Sequence, residues 1–218
     1  MGQPKQERAV QTRLALMRAA AEVFDECGYT GAGINKILKR AGLTAGALYF
    51  HFGSKEGLAK AVMNAQQDTI EPLLDSRGLQ RLVDITLVWS HQLGADPLLR
   101  AGVELSLGHE KFVDEAPFEG WRELMTGYLR EARDLGELRE GVDPEVVARF
   151  VVGACTGVQL YARQVDGRAG LPQRVTEMWD CLLPGIAAPG TAHTFDTGVA
   201  RGRRLSRRTG TTGTGAGE

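Results

Sequence analysis

A chain of 218 residues, 43% hydrophobic and 24% charged, can bury a substantial core, and a small unit joined to a larger one suits that length best. Its net charge of −1 hides unlike parts: residues 1–60 carry +4, residues 61–189 carry −8 and residues 190–218 carry +3, so a basic head suited to approaching phosphates precedes an acidic body. No run of about 18 apolar residues exists, and the opening MGQPKQERAVQTR lacks a signal peptide's apolar stretch, which argues against a membrane span or export and predicts a cytoplasmic protein.

In chain order, Val10, Leu14, Met17, Ala21 and Phe24 recur at helical spacing and Gly28 ends that helix. Ile34, Ile37, Leu38 and Ala41 repeat the pattern over two turns, closed by Gly42. Thr44 caps a short helix from Ala45 to Phe50, and Ser54 caps another that runs from Lys55 to about Leu74. Leu79, Leu82, Val83, Thr86, Trp89 and Leu93 form the next stripe. Asp96-Pro97 and Asp143-Pro144 each read as N-cap and first helical residue, the second opening a long apolar helix to about Val165. Pro117 starts a helix that ends near Gly136, and Pro172 opens a last one that fades at Pro184 and Pro189. No stretch alternates with period two, so the fold class is all-α, with about nine helices. From Gly190 the sequence turns to Gly, Thr and Arg with few apolar residues, which predicts a disordered tail over 190–218. Cys27, Cys155 and Cys181 have neither metal-ligand nor CxxC spacing; they read as reduced and mostly packed, with no metal and no cofactor implied.

The segment from Ile34 to Phe52 has the layout of a helix-turn-helix, in which the second helix enters the major groove of double-stranded DNA. Small residues at Ala45, Gly46 and Ala47 allow close approach to base edges and phosphates. Leu48, Phe50 and Phe52 are expected to point inward, leaving Tyr49 and His51 outside as donors to phosphate, joined by Lys55 at a helix N-terminus. Base readout looks thin, since Ala45 and Ala47 offer only apolar contacts to thymine methyls.

The stretch AAAEVFDECGYTGAGINKILKRAGLTAGALYFHFGSKEGLAKAV closely resembles the N-terminal domain of the tetracycline-repressor family, and GALYFHFGSKEGLA resembles the γ-butyrolactone autoregulator receptors of Streptomyces within it. The resemblance implies a DNA-binding domain over 1–54, with a three-helix helix-turn-helix, and a ligand-binding and dimerisation domain over 55–189. It implies that Thr44, Gly46, Tyr49, His51 and Lys55 face operator DNA, with Lys36 near the backbone. Ala45 stands where relatives commonly carry lysine, so one cationic contact is missing and the salt dependence of binding should be shallower.

A short recognition helix reads few base pairs, so a homodimer that reaches two half-sites is expected, through the last two helices. Val147, Phe150, Val151, Ala154, Val158 and Tyr161, interrupted by Gly153 and Gly157, give one apolar face; Met178, Trp179, Leu182 and Leu183 supply bulk on the other helix. For a small lipophilic effector, Gln66, Trp121 and Thr156 resemble the receptors' ligand contacts, Gln159 interrupts an apolar helix, and Trp89 and Tyr161 are further wall candidates. His91, His109 and Cys155 lie in no catalytic motif, which argues against an enzyme. The acidic body argues against a DNA-packaging protein. A pseudo-receptor of the same fold, responding to an antibiotic or biosynthetic intermediate, is the alternative.

Overall fold

The structure is a computed structural model and describes residues 3–71, 74–108 and 116–207. Among them, ten helices follow in chain order: α1 (Gln3–Gly31), α2 (Ile34–Ala41), α3 (Ala45–Phe52), α4 (Lys55–Asn64), α5 (Gly78–Ala95), α6 (Pro97–Gly108), α7 (Ala116–Asp134), α8 (Pro144–Asp166), α9 (Leu171–Ile186) and α10 (Val199–Ser206). No strand occurs among the described residues, as the missing period-two pattern predicts. They fall into two compact units, one within Met1–Thr69 and Asp96–Pro117, the other within Ile70–Ala95 and Phe118–Glu218.

In the first unit α1 to α4 and α6 share a core of Leu16, Ala20, Val23, Ile37, Leu48, Leu58, Val62, Ala101 and Leu105. The sequence boundary at 54/55 falls inside this unit, because α6 packs on both α1 and α4. An Asp25 carboxylate holding the Arg100 guanidinium with two 2.8 Å bonds ties α1 to α6. Val10 and Leu14, the start of the expected α1 stripe, are exposed instead. Gly28 takes φ +67° and breaks the helical path, as its position predicts. α4 stops at Asn64, ten residues short of the expected Leu74. The reason is local: the Gln66 amide donates to Met63 O at 2.9 Å and Thr69 Oγ1 to Gln66 O at 2.7 Å, so side chains take up carbonyls that a continuing helix would use. Gln66 therefore sits in a turn, not on a long helix.

In the second unit α5 is buried along almost its whole length. Trp179 of α9, fully buried, donates from its indole to Thr86 Oγ1 of α5 at 2.7 Å. α8 starts where Asp143-Pro144 predicts: Asp143 Oδ1 accepts from Glu145 N at 2.8 Å, and Pro144 needs no hydrogen-bond acceptor in the first turn. Of the cysteines only Cys155 is buried, its thiol pushed up to about 12 by desolvation, while Cys27 and Cys181 are exposed.

The expected disordered tail is corrected over its described part. α10 lies against α5, with Gly202 and Leu205 buried. A Cβ on Gly202 would stand 2.9 Å from the His91 ring and 3.0 Å from Leu87 Cβ, so only glycine permits this approach without movement. Arg201 completes the dock: its Nε and a terminal nitrogen donate to the two oxygens of Asp84 at 2.5 and 2.7 Å, where the carboxylate is fully buried. Residues 208–218 of the expected tail lie outside the described residues.

Candidate nucleic-acid interface and effector residues

α2 ends on Gly42 in the left-handed conformation, φ +64° and ψ +30°, which lets its N–H reach Leu38 O and turns the chain within three residues. Thr44 then caps α3, its Oγ1 accepting from Ala47 N at 3.4 Å, and Ser54 Oγ accepts from Gly57 N at 2.9 Å to open α4. Leu48 is the one α3 residue fully buried and fixes the helix onto the core. The opposite side, Ala45, Gly46, Tyr49 and Phe50, is exposed, with Thr44 exposed at its start.

Two sequence expectations change here. Phe50 does not point inward; it is 83% exposed. Only one face of an eight-residue helix can meet the core, and Leu48 with half-buried Ala47 and Phe52 fills it. Tyr49 and His51 are not brought to one face, since residues two positions apart on a helix are about 200° apart around its axis. Tyr49 is exposed, whereas His51 is half-buried, its ring 5.0 Å from Phe50 and 6.1 Å from Phe52.

The cations of this unit are partly engaged. Lys36 pairs with Glu26 at 2.9 Å, and Arg40 pairs with Glu26 and, at 3.5 Å, with Glu22. Arg40 first and Lys36 second hold the Glu26 carboxyl at about 2. Lys55 donates to Tyr29 O at 2.5 Å, its ammonium 4.3 Å from the Tyr29 ring centre. It thereby ties α4 to the C-terminal end of α1, beyond the break at Gly28, while keeping its charge at a helix N-terminus. Lys39 on α2 is exposed, and Arg13 of α1 lies 4.7 Å from the Phe52 ring centre. Arg13, Lys39 and Arg40 are further cations beside those expected from the sequence, and helical spacing already places Lys36, Lys39 and Arg40 on one short helix.

The residues expected at the effector divide between the units. Gln66 is buried in the first, where its amide also approaches Ser106 Oγ at 3.4 Å. The other five belong to the second. Trp89 of α5 is buried and Trp121 of α7 half-buried. Thr156 Oγ1 donates to Val152 O at 2.9 Å, which leaves only acceptor capacity. Gln159 is fully buried; its Oε1 accepts from Arg168 Nε at 3.2 Å, while its Nε2 has no hydrogen-bond partner among the described residues. Thr126 Oγ1 on α7, which the sequence reading did not single out, is likewise buried without a partner there. Tyr161 faces outward, with Arg174 5.4 Å from its ring centre.

α8 carries two apolar faces. Val147, Val151, Cys155 and Ala162 are buried within the unit, while Val146, Phe150, Tyr161 and Val165 are exposed along one line that also contains exposed Gly153 and Gly157. The single face expected from the sequence is thus split, and Trp179 and Leu183 of α9 serve the inner core.

Two short helices about a left-handed glycine, the second presenting small and aromatic residues to solvent, define a helix-turn-helix DNA-binding regulator. Residues 16–62 match the model of bacterial regulatory proteins of the tetR family, and residues 76–188 match that of the tetracyclin repressor-like C-terminal domain. The A-factor receptor protein of Streptomyces griseus is 41% identical over 186 residues, covering 85% of this chain and 67% of that protein. Full-length native tylp, a tetR regulator from Streptomyces fradiae, superposes with a TM-score of 0.85 at 38% identity, covering 92% of this chain and 98% of that one. A γ-butyrolactone receptor described as ArpA-like gives a TM-score of 0.63 at 29% identity, covering 92% of this chain and 98% of the other. The chain belongs to the tetR family: it is a transcription regulator, not an enzyme, and is related to the γ-butyrolactone receptors.

Proposed function

We propose that this regulator is a cytoplasmic repressor that binds a palindromic operator as a homodimer and is released by a small lipophilic lactone of the γ-butyrolactone type. The observation that carries the proposal is the exposed face of α3, held by Leu48 behind it and capped by Thr44. In the DNA contact Thr44, Ala45, Gly46 and Tyr49 meet the major groove and its phosphates, while Lys36, His51 and Lys55 flank it. The homodimer forms through α8 and α9, with Val146, Phe150, Tyr161 and Val165 as the apolar surface and Gly153 and Gly157 permitting close approach; so long an apolar line is unusual on a surface left in water. This reassigns Tyr161 from effector to subunit contact.

The effector is held within the second unit, with Trp121 and Trp89 against its hydrocarbon chain. Its carbonyl oxygen takes the unpartnered Gln159 Nε2, and its hydroxyl donates to Thr156 Oγ1. A buried amide donor left unmade costs about 1–3 kcal/mol, a debt that a lactone carbonyl removes. Gln66, bonded within the first unit, takes no direct part in this scheme.

The test is gel retardation of the duplex flanking the protein's own gene at low salt, followed by titration with a synthetic γ-butyrolactone. Retardation that the lactone reverses is expected, and Trp121→Ala should retain retardation while losing reversal. No retardation, or reversal that survives Trp121→Ala, contradicts the proposal in its DNA or its effector half respectively.

A further inference from the structure

The exposed side of α3 is almost entirely carbon. Ala45, Gly46, Tyr49 and Phe50 offer one phenol oxygen between them and none of the Arg, Lys, Asn or Gln side chains that make paired hydrogen bonds to guanine or adenine. Phe50 dominates this side at 83% exposed, its ring edge-on to His51. A helical side chain leans back toward the turn before it, and Gly46, four residues earlier on that side, carries no side chain to obstruct the Phe50 ring. A Cβ built on Gly46 would meet nothing closer than Thr44 Oγ1 at 3.8 Å, so the surface over Gly46 is open.

The apolar feature of the major groove is the thymine 5-methyl group. We propose that Phe50, on the same exposed side of α3 as Gly46, reads thymine methyls and is the specificity-determining residue of the DNA contact, in place of a hydrogen-bonding side chain. This rests on α3 being the helix that enters the groove. Phe50 then supplies sequence preference, while Tyr49 and the cations supply affinity for any duplex.

The test starts with the full chain selecting duplexes from a random pool. The enriched duplex is rebuilt with deoxyuridine for thymine in each half-site, which removes methyls and leaves pairing intact. The wild-type chain should bind the uracil duplex about four-fold more weakly for each methyl it reads, the equivalent of one buried methylene. Phe50→Ala should bind thymine and uracil duplexes equally, and Phe50→Leu should keep part of the difference. Equal binding of both duplexes by the wild-type chain, or the same uracil penalty in Phe50→Ala, overturns the role of Phe50 while leaving the repressor reading in place. Failure of the pool to yield any enriched duplex overturns both. Because Phe50 is exposed, the variants should keep the helical circular dichroism of the parent.

Discussion

Replacing Arg201 with methionine tests how α10 is held. The guanidinium donates twice to Asp84, a carboxylate with no exposed surface, which also accepts from Ser76 Oγ at 2.6 Å and Gln80 Nε2 at 2.9 Å. Removing one partner of a buried pair costs about 3–5 kcal/mol, because the remaining charge is stranded in low dielectric. Ser76 and Gln80 still solvate Asp84, so the loss belongs at the lower end, about 3 kcal/mol. For a chain of this length that corresponds to roughly 6–12 °C in Tm. Thermal unfolding at fixed protomer concentration reads it, since a dimer's Tm depends on concentration. The double variant Asp84→Asn with Arg201→Met removes the stranded charge and should recover more than half of the loss. A shift below about 2 °C in the single variant, or no recovery in the double, refutes the view that the pair docks the helix.

Other outcomes follow from the same geometry. Tyr49→Ala should weaken binding to every duplex about ten-fold, by fluorescence anisotropy, because a phenol hydroxyl bonded to phosphate serves all sequences alike. Glu26→Gln should release Lys36 and Arg40 and steepen the fall of log K with log salt, whereas Lys36→Ala should flatten it by about one unit. With its carboxyl held at about 2 by Arg40 and Lys36, Glu26 supports the α1–α2 contact fully above pH 4.5 and that support is lost as pH falls from 4.5 toward 2; as an exposed pair it should move the acid limb of a stability-against-pH curve only slightly, and Glu26→Gln should remove that part of the dependence. Phe150→Glu should convert the dimer to a monomer in sedimentation, since it places a charge in the middle of the exposed α8 face.

Helix starts were legible because Asp96-Pro97 and Asp143-Pro144 state both a cap and a fixed φ, and the turn at Gly42 because a left-handed residue leaves glycine as its mark. α10 was not, because no apolar stripe announces it. Its anchors are an ion pair across 117 residues and a glycine pressed on His91 and Leu87, neither of which shows in local periodicity. The end of α4 escaped for a similar reason, the stop being made by side-chain bonds of Gln66 and Thr69 within an otherwise helical pattern.

At the recognition helix, the grouping of Ala45, Gly46 and Tyr49 was readable from steps of one and four residues. Phe50 was misplaced because an aromatic in a short amphipathic segment resembles core, and nothing local says that Leu48 already fills it. Pairing Tyr49 with His51 was excluded by helix geometry alone. The division of the effector residues between two units lay beyond the sequence, since Gln66 and Thr156 are placed by tertiary packing.

Hydroxyl-radical footprinting of the full chain on its selected duplex tests the central claim most directly. Two protected patches whose centres lie about 10 base pairs apart, or a whole multiple of that, are expected, both vanishing when a γ-butyrolactone is added. A single patch, or a footprint unchanged by the lactone, would contradict a dimeric, effector-released repressor.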